Sequence, residues 1–385
     1  MLRHALIPVL VLLFSLPLAL YGEETAKREF TPADKAKSAN HNYACIECHR
    51  ERSPGLYAEW VQGPHASAGV GCLDCHGADR REQDSFKHFG RIPIGTVVTP
   101  NDCARCHKTI LRDFFLDGHS QSLRMLRNMP EDDPRYPLIE PYKESDFAEC
   151  AGCHGSEIRL ADDRRPAVGT WPNSGAGRIN PDGKPGACSS CHKGHRFSAA
   201  SARRPQACLG CHDGKNYPEG SIYLHSPHGL IFDDLVAGQP LDLPSHFLDS
   251  SRFAAPSCAL CHMNGAAPGL ATEHNLAARL PRELTEPAAA ERNAPDERRG
   301  RMVSVCRQCH EETTVERIFA ASDARLAAYQ AEVVEPALAD YRKRLDKAKG
   351  DKRSALLREY GAFLTEAKRY RMNLYMGQHG RSERP

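Results

Sequence analysis

The chain contains 16 cysteines, and every one of them falls in a Cys-x-x-Cys-His motif. In chain order the eight motifs are Cys45, Cys48 and His49; Cys72, Cys75 and His76; Cys103, Cys106 and His107; Cys150, Cys153 and His154; Cys188, Cys191 and His192; Cys208, Cys211 and His212; Cys258, Cys261 and His262; and Cys306, Cys309 and His310. This motif is the attachment signature of c-type haem, in which the thiols form thioethers and the histidine ligates the iron. The pattern predicts eight covalently bound haem c groups.

Other uses of paired cysteines fit this pattern poorly. A disulfide framework does not need a histidine after every second cysteine. Zinc sites use paired cysteines or cysteine–histidine mixtures at other spacings. A thioredoxin-like redox pair would occur once and within a βαβ unit.

Composition sets limits on the fold and on the partners. The motifs run from residue 45 to residue 310, so each haem has only a short stretch of chain around it and the haems must lie close together. Aromatic residues make up 7%, while 29 glycines and 27 prolines suit loops wrapped around porphyrins. The net charge is +2, and no basic stripe indicates nucleic acid.

The N-terminus resembles an export signal. Arg3 and His4 precede an apolar run over residues 5–20, and two glutamates follow. The run is short for a membrane span, so we expect a cleaved signal peptide over 1–22 and a periplasmic protein. An uncleaved signal that anchors the chain in the membrane is the alternative.

The rest of the chain divides into three segments. Residues 23–40 form a polar leader, residues 41–312 an octahaem cytochrome c domain, and residues 313–385 a C-terminal helical domain. The expected fold is mainly α with extensive loops: a multihaem cytochrome c domain wrapped around eight covalent haems, followed by a C-terminal long-helix hairpin.

Apolar periodicity predicts the two long helices of that hairpin. The first covers Ser322 to Lys349, with Ser322 or Asp323 as its cap, a kink at Pro336 and a break at Gly350. Its apolar face comprises Leu326, Tyr329, Val333, Ala337, Tyr341 and Leu345. The second closes at Gly377, and its face comprises Leu356, Tyr360, Phe363, Ala367, Tyr370 and Leu374.

Histidines outside the motifs are the candidate second axial ligands. The chain has 19 histidines, of which eight are in motifs and His4 lies in the signal segment. The remaining ones are His41, His65, His88, His119, His195, His225, His228, His246, His274 and His379. They suffice for bis-histidine ligation at most of the irons. An enzyme must leave one iron open, whereas an electron carrier can saturate them all, and the count does not decide between the two.

The segments around the motifs resemble the octahaem hydroxylamine oxidoreductase family. The matching stretches are YACIECH, PGLYAEW and GPH near motif one; VGCLDCHGA and FKHFG around motif two; PSCALCHM at motif seven; and TWPNSGAGRINPDGKPGACSSCHKGHRFSAASARRPQACLGCH across motifs five and six. The resemblance covers roughly residues 42–310, and the helical tail also suits a family whose members usually form trimers.

The resemblance implies ligand and site assignments. It implies distal ligands at His65, His88, His119, His195 and His274. His228 is either a further distal ligand or a pocket residue. The fourth haem corresponds to the family's catalytic haem, and His154 stands where five-haem nitrite reductases have a lysine.

The oxidising members of the family crosslink a C-terminal tyrosine of a neighbouring subunit to the catalytic haem. That tyrosine lies in an Asp-Tyr…Trp-His-Gly context, and this chain ends in YRMNLYMGQHGRSERP instead. Tyr375 is a poor substitute, so the resemblance favours reductive chemistry.

Together these observations predict a periplasmic octahaem oxidoreductase that reduces nitrite or hydroxylamine at the fourth haem. Bond cleavage between nitrogen and oxygen needs protons, so a histidine or tyrosine should overhang the iron. The candidates are Tyr217, His225, His228 and His246, and the position of Tyr217 is similar to that of the pocket tyrosine in five-haem reductases.

Two alternatives remain open at this point. One is a hydroxylamine dehydrogenase that works oxidatively, and the other is a non-catalytic multihaem electron-transfer protein. The expected partners are a small nitrogen oxide as substrate, a redox protein such as a small cytochrome c or a membrane quinol-linked multihaem cytochrome, and two further copies of the chain in a homotrimer.

Overall fold

A computed structural model describes residues 42–214, 218–235, 241–243, 255–263, 272–280 and 297–376. For residues 372–376 it describes the backbone alone. Within these ranges the chain is mostly helical with long connecting loops. No helix among the described residues is both long and apolar enough to cross a membrane. The expected signal peptide, the polar leader and His41 lie outside these ranges.

The haem-motif region is built from short helices and one small sheet. Its first elements are α1 (Tyr43–Arg52), α2 (Pro54–Val61), α3 (Pro64–Ser67), α4 (Cys72–His76), β1 (Phe86–His88), β2 (Ile92–Ile94), α5 (Pro100–Cys103), α6 (Lys108–Phe115), α7 (Ser122–Arg127), α8 (Tyr136–Ile139) and α9 (Ala151–His154). It continues with α10 (Ala199–Arg203), α11 (Gln206–His212), α12 (Glu219–Leu224), α13 (Pro227–Leu235), α14 (Cys258–His262) and α15 (Glu297–Cys306). Single 3₁₀ turns occupy Glu140–Tyr142, Ala148–Cys150, Cys188–Ser190 and Leu276–Arg279.

The motif spacing explains why several of these helices coincide with motifs. Residues three and four apart share a helix face, so a helical Cys-x-x-Cys-His segment turns both thiols and the imidazole the same way. Helices α4 and α14 consist of one motif each, and α11 ends on one. The hydroxyl of Ser257 caps α14 by accepting a hydrogen bond from Leu260 N at 3.4 Å.

Strands β1 and β2 form a two-stranded antiparallel sheet. Phe86 lies opposite Ile94, and His88 lies opposite Ile92. Pairing with β2 fixes the backbone of β1 at its last residue, His88, which is one of the predicted ligands.

Apolar packing is divided among small separate clusters. One contains Ile46, Trp60 and Ala66, another contains Leu123, Leu126, Phe147 and Ile179, and a third contains Phe232, Leu241, Ala255 and Leu260. Separate clusters are expected where cofactors, and not side chains, occupy the space between segments.

The first long helix of the C-terminal region begins earlier than the sequence predicts. Helix α16 (Glu312–Tyr329) starts ten residues before Ser322, which lies buried inside it, so the predicted cap is wrong. The helix extends further towards the N-terminus than predicted, because it also buries Val315 and Phe319, which precede Ser322.

A π-helical turn shifts the apolar face of the tail. It spans Gln330–Val334 and is followed by α17 (Glu335–Lys347), which has Pro336 in its first turn. The wider turn adds a residue to the helical period. Val334 is therefore buried, whereas Val333, predicted to face inward, is 41% exposed.

The last helix, α18 (Gly350–Met376), packs along both α16 and α17. Gly350 begins it with a positive φ of 53°, which agrees with the predicted break. Leu356 and Tyr360 are buried against Leu345 of α17, and the Tyr370 ring lies 4.0 Å from that of Tyr329.

Candidate functional site

In the part of the chain that the structure describes, five pairs of histidine rings lie at nearly the same distance from each other, and each pair joins a motif histidine to a histidine outside the motifs. The ring-centre distances are 6.3 Å for His49 and His88, 6.3 Å for His76 and His195, 6.3 Å for His107 and His65, 5.8 Å for His212 and His119, and 6.0 Å for His310 and His228. A bond between a metal and an imidazole nitrogen is roughly 2 Å long, so two imidazoles on one metal place their ring centres about 6 Å apart. The pairs therefore fit one haem iron each.

Local structure holds the non-motif member of each pair. His88 ends β1, His65 lies in α3 and His228 lies in α13. His195 follows Gly194, whose φ is +69°, and its backbone N–H donates to Glu59 Oε2 at 2.8 Å. A Cβ on Gly194 would lie 2.7 Å from that same oxygen, so the turn requires glycine.

His274 is an electrostatic neighbour of the fifth motif. Burial, together with the nearby charge of His274, lowers the pKa of His192 to about 4. The Nδ1 atom of His274 is buried without a hydrogen-bond partner. Four of the five predicted distal ligands thus face a motif histidine, His274 is an electrostatic neighbour of His192, and His228 faces His310.

The surroundings of His154, in the fourth motif, differ from those of the paired histidines. Its Nδ1 lies 3.3 Å from the carbonyl oxygen of Ser122, whose hydroxyl donates to the His154 carbonyl at 3.2 Å. Burial lowers the pKa of His154, and His119 and His212 lower it through charge. Among the described residues, no histidine ring faces His154 at the spacing of the five pairs.

A glycine-on-glycine contact packs the chain against the fourth motif. A Cβ on Gly175 would lie 2.0 Å from Gly155 N, and the backbone N–H of Ala176 donates to Cys153 O at 2.9 Å. Gly155 has a φ of +82°, and a Cβ there would meet the backbone of Arg178 at 2.3 Å. The matching stretch that spans motifs five and six therefore packs directly on the turn that carries His154.

Contacts between cysteines link the motifs to one another. All 16 cysteines are free thiols in this structure. The sulfur contacts or electrostatic neighbours are Cys45 with Cys72, Cys75 with Cys103, Cys103 with Cys188, Cys191 with Cys208, Cys208 with Cys258, Cys261 with Cys306, and Cys153 with Cys211. The motifs thus form the series one, two, three, five, six, seven, eight, and motif four joins it at motif six.

Sequence reasoning missed a buried arginine between motifs three and five. Arg178 is 2% exposed and donates to the carbonyls of Asn173 and Val98 at 3.0 and 2.9 Å. Burial lowers its pKa to about 10, although the neighbouring thiols of Cys188 and Cys103 act in the opposite direction. Its position in the sequence GRIN gives no signal of burial, because the packing that encloses it comes from Val98, far along the chain.

The four predicted proton donors are not brought together in the described residues. Tyr217 and His246 lie outside those residues. His225 is exposed, and its Nδ1 lies 2.6 Å from the carbonyl of Ser221. His228 faces His310, which supports its alternative role as a ligand. Tyr375 belongs to the part of α18 whose side chains are not described.

No further cluster of three or more histidine, cysteine or acidic side chains suited to a metal ion occurs among the described residues. The haem-attachment motifs with their facing histidines define a multihaem c-type cytochrome. A family model described as "seven times multi-haem cytochrome CxxCH" matches residues 68–331, a range that includes motifs two to eight. The chain belongs to this family.

A second family model, described as "cytochrome c554 and c-prime", matches residues 20–77 and so includes motifs one and two. Both models imply covalent haem c. The two matched ranges together contain every motif in the chain.

Curated relatives are larger proteins. The chain is 25% identical over 289 residues to a "probable nitrite reductase-hydroxylamine oxidoreductase fusion protein" of Kuenenia stuttgartiensis, a match to 64% of this chain and 29% of that protein. It is 22% identical over 231 residues to the C-type polyheme cytochrome OmcB of Geobacter sulfurreducens, covering 50% of this chain and 30% of OmcB. The chain spans under a third of the length of these relatives.

Two solved structures share the fold. One, described as a hypothetical multiheme protein, superposes with a TM-score of 0.70 at 21% identity, over 91% of this chain and 94% of that one. The other is the reducing HAO-like protein complex of Kuenenia stuttgartiensis, with a TM-score of 0.50 at 19% identity, over 92% of this chain and 73% of the other. These likenesses extend beyond the motifs to nearly the whole chain.

Proposed function

We propose that this protein is an octahaem oxidoreductase of the hydroxylamine oxidoreductase type that reduces nitrite or hydroxylamine at its fourth haem. The observation that supports this most directly is the contrast between His154 and the five facing pairs. Among the described residues, five motif histidines have an opposed imidazole and His192 has His274 as an electrostatic neighbour, whereas the rings near His154 already belong to the sixth motif's pair. An iron bound by His154 alone would keep one axial position for substrate.

The pairs give the proposed ligand set. His88, His195, His65, His274, His119 and His228 are the distal ligands of haems one, two, three, five, six and eight. Each non-motif histidine comes from a part of the chain other than its partner's motif, so ligation would also fasten distant segments together.

The haems supply one-electron redox chemistry when bound, and the polypeptide sets their order and surroundings. The cysteine contacts place neighbouring motifs in one continuous series, which is the arrangement that electron transfer over several haems requires. The fourth motif meets this series through Cys153 and Cys211, so electrons for the substrate arrive by way of motif six.

The polypeptide's part at the fourth haem is to hold His154 and to supply protons. The Ser122 carbonyl accepts from His154 Nδ1, which fixes the ring and leaves Nε2 for the iron. Tyr217 and His246 remain the predicted proton donors. We further propose that the protein is exported to the periplasm and assembles as a homotrimer. Its octahaem domain ends at residue 312, where the C-terminal helical domain begins, and a small cytochrome c or a quinol-linked multihaem cytochrome supplies the electrons.

The relatives add chemical support. The Kuenenia fusion protein has nitrite reductase and hydroxylamine oxidoreductase in its name, and the complex with the shared fold is described as reducing. The C-terminal segment of this chain also lacks the Asp-Tyr…Trp-His-Gly context of the oxidising enzymes.

The purified holoprotein is tested by activity assays, paramagnetic resonance and mass spectrometry. We expect a reduced dye to be consumed on addition of nitrite or hydroxylamine, and little reduction of an oxidised acceptor by hydroxylamine. Paramagnetic resonance of the oxidised protein should show one high-spin ferric haem that responds to nitrite, beside low-spin haems. Mass spectrometry should find eight haems and no additional crosslink on the Cys150–Cys153 peptide.

Each contrary result has a defined meaning. If the spectrum shows low-spin haems alone and the protein does not react with nitrite, the protein is an electron carrier and the proposal of an enzyme is wrong. Fast oxidation of hydroxylamine, together with a tyrosine crosslink on the fourth haem, would establish the oxidative direction instead.

A further inference from the structure

The two histidines paired at the sixth motif, His119 and His212, both lie close to carboxylates. His119 Nδ1 lies 2.7 Å from Asp117 Oδ1, which also accepts the backbone N–H of His119 at 2.9 Å. The second oxygen, Oδ2, accepts the backbone N–H of Leu276 at 2.7 Å. Asp117 is 2% exposed, so these bonds hold a buried carboxylate against the outer nitrogen of one imidazole.

On the other side of the same pair, His212 Nδ1 lies 3.8 Å from Glu219 Oε1. This distance is longer than a hydrogen bond, so the interaction is mainly electrostatic. Lys368, on α18, reaches the same oxygen at 2.5 Å, and Glu219 Oε2 is buried without a hydrogen-bond partner.

The geometry holds both carboxylates beside these imidazoles. Asp117 accepts two backbone N–H groups in addition to its contact with His119 Nδ1, and Glu219 is paired with Lys368.

Other motif histidines with described Nδ1 contacts meet neutral acceptors. His49 lies 3.4 Å from the hydroxyl of Ser53, and His76 lies 3.0 Å from the carbonyl of Gly95. His154 lies 3.3 Å from the Ser122 carbonyl. The pair at the sixth motif therefore differs from these three histidines, because the groups that face its Nδ1 atoms are negatively charged.

We propose that Asp117 and Glu219 are positioning residues that lower the reduction potential of the sixth haem below those of haems one and two, so that it is a strong electron donor to the fourth. This inference rests on the ligand assignments of the proposed function. A carboxylate that accepts from Nδ1–H makes the imidazole a stronger donor to iron, and a stronger donor stabilises the ferric state. Lys368 moderates the effect, because its positive charge offsets part of the charge on Glu219.

The opposite charges predict opposite shifts. Asp117→Asn and Glu219→Gln should each move the midpoint potential of one low-spin haem upward, whereas Lys368→Met should move it downward. The measurement is an electron paramagnetic resonance redox titration of the full-length holoprotein, which follows each low-spin ferric signal separately. Glu366→Gln is the matched control, because Glu366 is an exposed carboxylate on the same helix, paired with Arg369, and it should shift no haem.

The results distinguish a failure of this inference from a failure of the ligand assignments in the proposed function. Shifts of one sign in all three variants, or no shift in Asp117→Asn and Glu219→Gln, would overturn it. His119→Ala tests the ligand assignment by itself: loss of one low-spin signal supports the ligand pair, and an unchanged spectrum would overturn both the assignment and the tuning that rests on it.

Discussion

At the scale of single residues, the glycines beside the fourth motif are tightly constrained positions. Gly175 and Gly155 touch backbone to backbone, so neither can gain a methyl group without moving main chain. Arg178 continues the same segment into the space between motifs three and five, where carbonyl groups surround its guanidinium. One short segment thus supports three motifs.

The first prediction at this scale concerns Gly175→Ala. The new Cβ would lie 2.0 Å from Gly155 N and 2.6 Å from Ala151 O, so backbone must shift. We expect a loss of about 3 kcal/mol in the free energy of unfolding, at the upper end for overpacking. Denaturant unfolding followed by circular dichroism measures it.

The matched control is Gly152→Ala, inside the same motif. No atom lies within 4 Å of a Cβ at Gly152, so that variant should unfold at nearly the parental midpoint. Equal stability of the two variants would show that the close approach is absent in solution.

The candidate ligands illustrate what sequence can and cannot reveal at this scale. Composition and spacing identify the motifs, and the family resemblance selects the distal histidines. Which histidine faces which motif depends on chain paths: His119 faces His212, 93 positions away. Asp117 could not be singled out from sequence, because its role depends on Leu276 from a distant loop.

At the scale of elements, the tail helices are joined to the haem-motif region by specific polar contacts. The Arg353 guanidinium lies 2.6 Å from Glu140 Oε2, and Arg342 donates to Asp132 O at 3.0 Å. The Tyr360 hydroxyl donates to the carbonyl of Pro134. Helices α17 and α18 therefore fix residues 132–140, which lead into the fourth motif.

Tyr360→Phe tests this anchoring. The change removes one hydrogen bond and leaves the Pro134 carbonyl without its donor, so we expect a loss of about 1 kcal/mol. Hydrogen exchange of the backbone N–H groups in residues 132–140 should become faster.

Tyr341→Phe is the control for that variant. The Tyr341 ring packs 5.1 Å from Tyr360, but its hydroxyl makes no described hydrogen bond. Exchange in residues 132–140 should stay at the parental rate, and equal acceleration in both variants would assign the effect to ring packing.

Periodicity predicts that the tail is helical and misses two details, each for a physical reason. It starts the first helix ten residues late, because Ser322 and Asp323 inside α16 are residue types that often cap a helix. It also misplaces the inward face after Gln330, because periodicity assumes α-helical turns and a π turn adds a residue.

At the scale of the whole molecule, the cysteine contacts give a branched order of motifs. Motif four contacts motif six alone among the described cysteine contacts, whereas motif six also contacts motifs five and seven. The order of the motifs in the sequence would suggest an unbranched series. Motifs four and five are neighbours in the sequence, but their cysteines are not neighbours in these contacts.

The branch predicts the outcome of removing single haems. A Cys150→Ser, Cys153→Ser double variant should lose turnover of nitrite, while dithionite still reduces the remaining haems at about the parental rate. Cys208→Ser with Cys211→Ser should instead interrupt the series and slow reduction of part of the haems. Stopped-flow absorbance measures both, and mass spectrometry checks that one haem is missing. Equal slowing in the two variants would contradict the branched order.

The position of motif six between motifs five and seven has one more consequence. A reductant that docks near the first motif would reach this junction in four steps, through motifs two, three and five, and one that docks near the eighth would reach it in two, through motif seven. The protein would then have two independent entrances, and blocking either surface would leave the other able to feed the reaction.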